Sequence, residues 1–338
     1  MTNVKAWSVV ALVLGVFGCS ADQASDSGNT GDPSPENARA GDIRESETWK
    51  DGAVLTGAVS IAPGAVVTIA PGAKITCAQG AAILIGGELV AKAAAKPATI
   101  SCASWNGLVV AKGGKFDLEG VTLENPRTAI TTTEGALPSR FAQGSITLSL
   151  VPFGVGKGSK LTVDQVKVTT PPKPTATEVS VSEIRGSMTA THLDYDAGPS
   201  EGIQARDGGE LVIEDSTLHG NGGLDMVAAY DAKKLVVRYT LLSGAHCGPH
   251  IQGVDSFEID HVTSEKNTYG ITLYKSGAGP HVVKDSNFSG GAAWLDFQGD
   301  HGPITMSGVY VQGTEIMKGG PAPTITKASA PVANAKPR

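Results

Sequence analysis

His246, Cys247 and His250 are the densest set of potential metal ligands in the chain, gathered within five residues. Zinc takes three or four such donors in a tetrahedral array, and His219 or Asp225 from a neighbouring segment is a conceivable fourth. No second Cys/His pair stands at matching spacing, so a corner loop with a buried cysteine is the simpler reading and no metal is assigned. Asp194, Asp196 and Asp225 are acids to consider for calcium. Calcium requires several converging oxygens, and solvated corner acids account for these residues more simply. No cofactor is expected. Cys77 and Cys102 close two matching strings, Lys74-Ile75-Thr76-Cys77 and Thr99-Ile100-Ser101-Cys102.

The elements that position these residues follow from a repeat. Apolar or small residues recur at i, i+2, i+5 and i+7: Phe116, Leu118, Val121, Leu123; then Leu161, Val163, Val166, Val168; then copies beginning at Met188, Leu211, Leu235, Phe257, His281 and Ile304. A helix cannot put i and i+2 on one face, whereas a strand does so by construction. The odd step from i+2 to i+5 demands a bend between two short strands. Asp215-Ser216, Asp260-His261 and Asp285-Ser286 fall at that bend. A third strand precedes each pair, as in Gly202–Arg206, Tyr269–Tyr274 and Trp294–Gln298. Three strands per turn at a period of 22 to 27 residues describe an all-β, right-handed parallel β-helix, a single-stranded solenoid. Composition agrees. Hydrophobic residues make up 41% of 338 residues but aromatics only 5%, with 43 Gly, as a narrow coil interior requires. One solenoid of roughly eleven turns over residues 46–318 uses most of the chain. Its turns would stack Cys77 on Cys102 within disulfide reach.

Residues 126–160 fit the period poorly and read as a loop excursion or paired hairpin, with Pro171–Pro174 a second excursion. The tail 319–338, rich in Pro, Ala and Lys, reads as disordered.

The opening turns carry a signature: Trp49, then Ala62-Pro63-Gly64-Ala65 before Val66-Val67-Thr68-Ile69, then Ala70-Pro71-Gly72-Ala73. This resembles the first coils of the pectin-lyase-like superfamily of right-handed β-helices. The resemblance implies that fold over about residues 49–312, and binding of extended polysaccharide along one face. Its enzyme motifs are tests. The polygalacturonase strings Asn-Thr-Asp, Asp-Asp, Gly-His-Gly and Arg-Ile-Lys do not occur. Glu258-Ile259-Asp260-His261 is similar to the pectate-lyase string Trp-Ile-Asp-His, but its Trp is replaced and the family's arginine loop is missing. The same string is a good corner for a β-helix.

Strand alternation nevertheless yields a candidate ligand face. If Ile203, Ala205, Ile271, Leu273, Leu295 and Phe297 point inward, then Gln204, Arg206, Thr272, Tyr274, Asp296 and Gln298 point outward, with Gln252 and Asp255 between them. The expected function is binding of polysaccharide or another surface component without catalysis. The alternative is a lyase or glycoside hydrolase whose residues come from separated turns. A net charge of −6 gives no support to nucleic-acid binding.

The first 18 residues read as an export signal, with Lys5 ahead of the apolar run Ala6–Phe17. Val16-Phe17-Gly18-Cys19 resembles the bacterial lipobox, implying a lipid on Cys19 and a membrane partner. Phe17 departs from that box, and ordinary signal-peptidase cleavage is the competing reading. Residues 19–45 read as a disordered tether. Ser20, where Asp would favour inner-membrane retention, points to an outer-membrane lipoprotein, facing the periplasm or the cell surface.

Overall fold

The computed structural model describes residues 37–172 and 181–338. Among them every regular element is a β-strand, and each pairs in parallel with a segment one turn away. About twelve turns stack as a right-handed parallel β-helix. The eight copies of the repeat are its skeleton. Leu161 pairs with Met188, Met188 with Leu211, Leu211 with Leu235, Leu235 with Phe257, Phe257 with His281 and His281 with Ile304. Positions i and i+2 line a first face, and i+5 and i+7 a second. Between them, residue i+4 takes a left-handed backbone: Gln165, His192, Asp215, Tyr239, His261 and Asp285 have φ between 46° and 54°. One such residue bends the strand onto the next face and restarts alternation out of phase, which accounts for the odd step.

The interior is a column of Val, Ile, Leu and Ala, with Trp49, Trp105 and Trp294 fully buried. Where the corner position i+5 is serine, its hydroxyl serves the backbone. Ser216 Oγ accepts from Leu193 N–H at 3.0 Å and donates to Glu214 C=O at 2.6 Å. Ser286 does the same for Val262 and Lys284. Cys77 and Cys102 are paired in register and joined by a disulfide, with Cα atoms 5.0 Å apart.

Three expectations require correction. Residues 126–160 are no excursion: Thr128–Thr132, Ser139–Ala142, Ser145–Thr147 and Val151–Val155 take ordinary places on the three faces. Ser139 stands where the repeat calls for an apolar side chain, and its hydroxyl accepts from Phe116 N–H. Residues 38–43, assigned to the tether, form a strand against Val54–Ile61, with Ile43 packed on the core. The tail 319–338 is ordered. Thr324–Lys327 pairs with the strand Ile304–Gln312, and the following residues return along the solenoid. Val332 and Asn287 exchange two hydrogen bonds, Thr263 donates to Ala335 C=O, and Arg338 reaches Asp215. The signal segment, Cys19 and residues 173–174 of the second excursion lie outside the described residues.

Candidate functional site

The third face departs from simple alternation in several consecutive turns. Met226 and Val227 are successive core residues, as are Trp294 and Leu295. In the first of the two turns between, a Cβ on Gly248 would run into the buried Ser264 hydroxyl, so that position faces the interior as well. Two inward residues in a row shift the phase, as a bulge does. Outward side chains therefore form three rows. One holds Asp225, Cys247 and Tyr269; the next Gln204, Ala228, His250, Thr272 and Asp296; the last Arg206, Tyr230, Gln252, Tyr274 and Gln298.

The first two rows are largely covered by one another and by the rings of the third. Gln204, Asp225, Cys247, Thr272 and Asp296 are all buried although they point away from the core. The third row is accessible and is held by the others. Tyr230 donates its hydroxyl to Asp225, and Tyr274 donates to Asp296 Oδ2 at 3.2 Å. Gln298 Nε2 donates to Asp296 Oδ1 at 2.9 Å, and Arg206 Nε to Gln204 Oε1 at 2.8 Å. The Arg206 guanidinium also lies 4.7 Å from the centre of the Tyr230 ring.

His250 is the centre of the arrangement. Its Nδ1 is 3.2 Å from Asp225 Oδ1, and its ring lies between those of Tyr230 and Tyr274, with centroids 5.0 and 5.1 Å away. Its Nε2 is buried with no hydrogen-bond partner. Burial pushes the Asp225 carboxyl up, but the His250 and Tyr230 contacts outweigh burial and hold it below the ordinary carboxylate range. Burial, with Asp225 nearby, raises the Glu201 carboxyl. Burial likewise pushes the Cys247 thiol up to about 12, so it is protonated at neutral pH and no nucleophile.

The face expected from the sequence is thus assembled, with one exception. Asp255 is exposed in the turn after the strand Cys247–Gln252, off the three rows, its N–H bonded to Ala232 C=O. Cys247 and His250, first read as a separate loop, belong to the same site, while His246 is exposed at its edge with Nδ1 3.4 Å from Cys247 Sγ. Tyr230 and Glu201 were not anticipated. The string Glu258–His261 lies elsewhere, on the first face and its corner: Glu258 bridges Arg238 and Lys284, Asp260 pairs with Lys284 and with His261 Nδ1 at 2.6 Å, and Asp260 and His261 gather with Asp285 into a second group of potential metal ligands.

No family model matches the chain, and no curated protein does. Among solved structures, the chain is similar to the pectate lyase Pel9A at a TM-score of 0.35 and 12% identity, covering 78% of this chain and 71% of that one.

Proposed function

We propose that the third face binds an extended, uncharged polysaccharide chain lying along the solenoid axis, without cleaving it. The observation that carries this reading is the accessible row Arg206, Tyr230, Gln252, Tyr274 and Gln298, one side chain per turn, braced by a buried polar layer. Tyr230 and Tyr274 are two turns apart, about 9.6 Å, roughly the length of a disaccharide unit. Rings at that interval can each take a sugar face, with amide groups between them for hydroxyls.

Charge argues for a neutral glycan. Glu183, Glu201, Asp225 and Asp296 lie on this face, whereas Arg185 and Arg206 are both drawn to Glu183. A polyuronate would meet net repulsion. Geometry argues against hydrolysis. Asp225 and Asp296 both stand behind the accessible row, on one side of any chain laid over it, whereas glycoside hydrolysis needs carboxyl groups flanking the scissile bond.

We further propose that the solenoid is held at the outer membrane by a lipid on Cys19, a reading that rests on the sequence alone. Fatty-acid labelling lost on Cys19→Ala tests it. Isothermal titration of the protein with a panel of neutral and acidic oligosaccharides tests the ligand. Binding of a neutral member, weakened tenfold or more by Tyr274→Ala, supports the reading. New reducing ends or unsaturated products on incubation would replace it with an enzymatic one.

A further inference from the structure

The geometry points to a second site beneath that row: we propose that Asp225, Cys247 and His250 together bind a soft divalent cation, zinc above all, with His246 able to complete the set. One ligand atom from each of the three lies within 4.8 Å of the other two. Asp225 and Cys247 are stacked in register on adjacent turns, and His250 follows Cys247 on the same strand, so the backbone of two turns fixes the cluster.

The Asp225–His250 distance is near the size that a tetrahedral ion imposes. Zinc bonds of about 2.3 Å to sulfur and 2.0–2.1 Å to nitrogen or oxygen give tetrahedral edges of roughly 3.3–3.6 Å. Asp225 Oδ1 to His250 Nδ1 is 3.2 Å, close to that edge, and the Cys247 sulfur lies within 4.8 Å of both. His246 is exposed and needs a side-chain rotation to join the other three. A thiolate, an imidazole and a single carboxylate select zinc or a similar borderline metal, whereas calcium wants oxygens alone.

The surroundings fit as well. The Tyr230 hydroxyl holds the second Asp225 oxygen, and Thr272 donates to the Cys247 sulfur. Outer partners of this kind orient metal ligands. Binding would expel the Cys247 proton to solvent and leave the sulfur as thiolate on the metal.

Cobalt(II) is the probe, added to the full-length protein at neutral pH and followed by absorption, with zinc stoichiometry from equilibrium dialysis. The expected result is about one ion per chain, with intense visible bands of a tetrahedral site and a sulfur-to-cobalt band in the near ultraviolet. Cys247→Ser should abolish the sulfur band, and Asp225→Asn and His250→Ala should each weaken zinc binding at least tenfold. Circular dichroism identifies any variant that fails to fold, and the near-isosteric Cys247→Ser and Asp225→Asn carry the test in that case. Gln298→Ala, on the accessible row but bonded to Asp296 rather than packed on His250, should leave metal binding intact, which separates this site from the glycan row. Failure to bind at micromolar metal, or binding unchanged in the folded variants, would overturn the proposal.

Discussion

Asp225 and His250 stand on neighbouring turns of the third face, joined Oδ1 to Nδ1 at 3.2 Å, and the Tyr230 hydroxyl touches both. This buried contact fixes the orientation of Tyr230 on the accessible row. Tyr230→Phe keeps the ring but removes the hydroxyl donated to Asp225. It should lower glycan affinity only two- to threefold, against tenfold or more for Tyr230→Ala, as measured by titration calorimetry.

Glu201 is half-buried near Asp225, and burial with that neighbouring charge raises its carboxyl. A raised carboxyl means that the fold disfavours the ionised form. The resulting penalty is absent below the unfolded-state pKa and is fully present above the folded one. Glu201→Gln keeps an acceptor for Gln204 and removes the charge. It should raise the melting temperature by a few degrees at neutral pH and leave it unchanged well below pH 4.

Ser216 is buried at a corner, where its hydroxyl accepts from Leu193 N–H. Ser216→Ala leaves that amide without a partner and should cost about 1–3 kcal/mol in chemical denaturation. Opening the Cys77–Cys102 disulfide with Cys77→Ser should cost about 2–4 kcal/mol by the same measurement.

Arg338 binds Asp215 through Nε and Nη2 at 2.7 and 2.6 Å and lies over the Tyr239 ring. The arginine contact holds the Asp215 carboxyl below its ordinary value. The stabilisation is therefore complete above the unfolded-state pKa and is lost as pH falls through the folded one. Hydrogen exchange of residues 331–338 should stay protected at pH 5 and rise towards pH 2. Asp215→Asn should expose the segment at every pH.

The solenoid was legible because its inward positions recur at a fixed spacing with apolar side chains, from Leu161 to Ile304. The turn at Ser139–Val155 was hidden because Ser139 and Gly144 occupy positions where the repeat calls for apolar residues, and a hydroxyl can serve a corner as well as a methyl group can. Alternation along single strands was enough to put Gln204, Arg206, Thr272, Tyr274, Asp296 and Gln298 outward. It could not reach Tyr230, because Met226 to Ala229 reads as an unbroken apolar run. Nor does any local pattern reveal the phase shift that brings Asp225 against His250. That depends on two turns being stacked.

The most direct test of the proposed function is a crystal structure with a neutral hexasaccharide identified by the binding panel. The chain should lie parallel to the solenoid axis, with sugar rings on Tyr230 and Tyr274 and hydroxyls on Gln252 and Gln298. Density over the first or second face, or a vacant third face at saturating ligand, would contradict it.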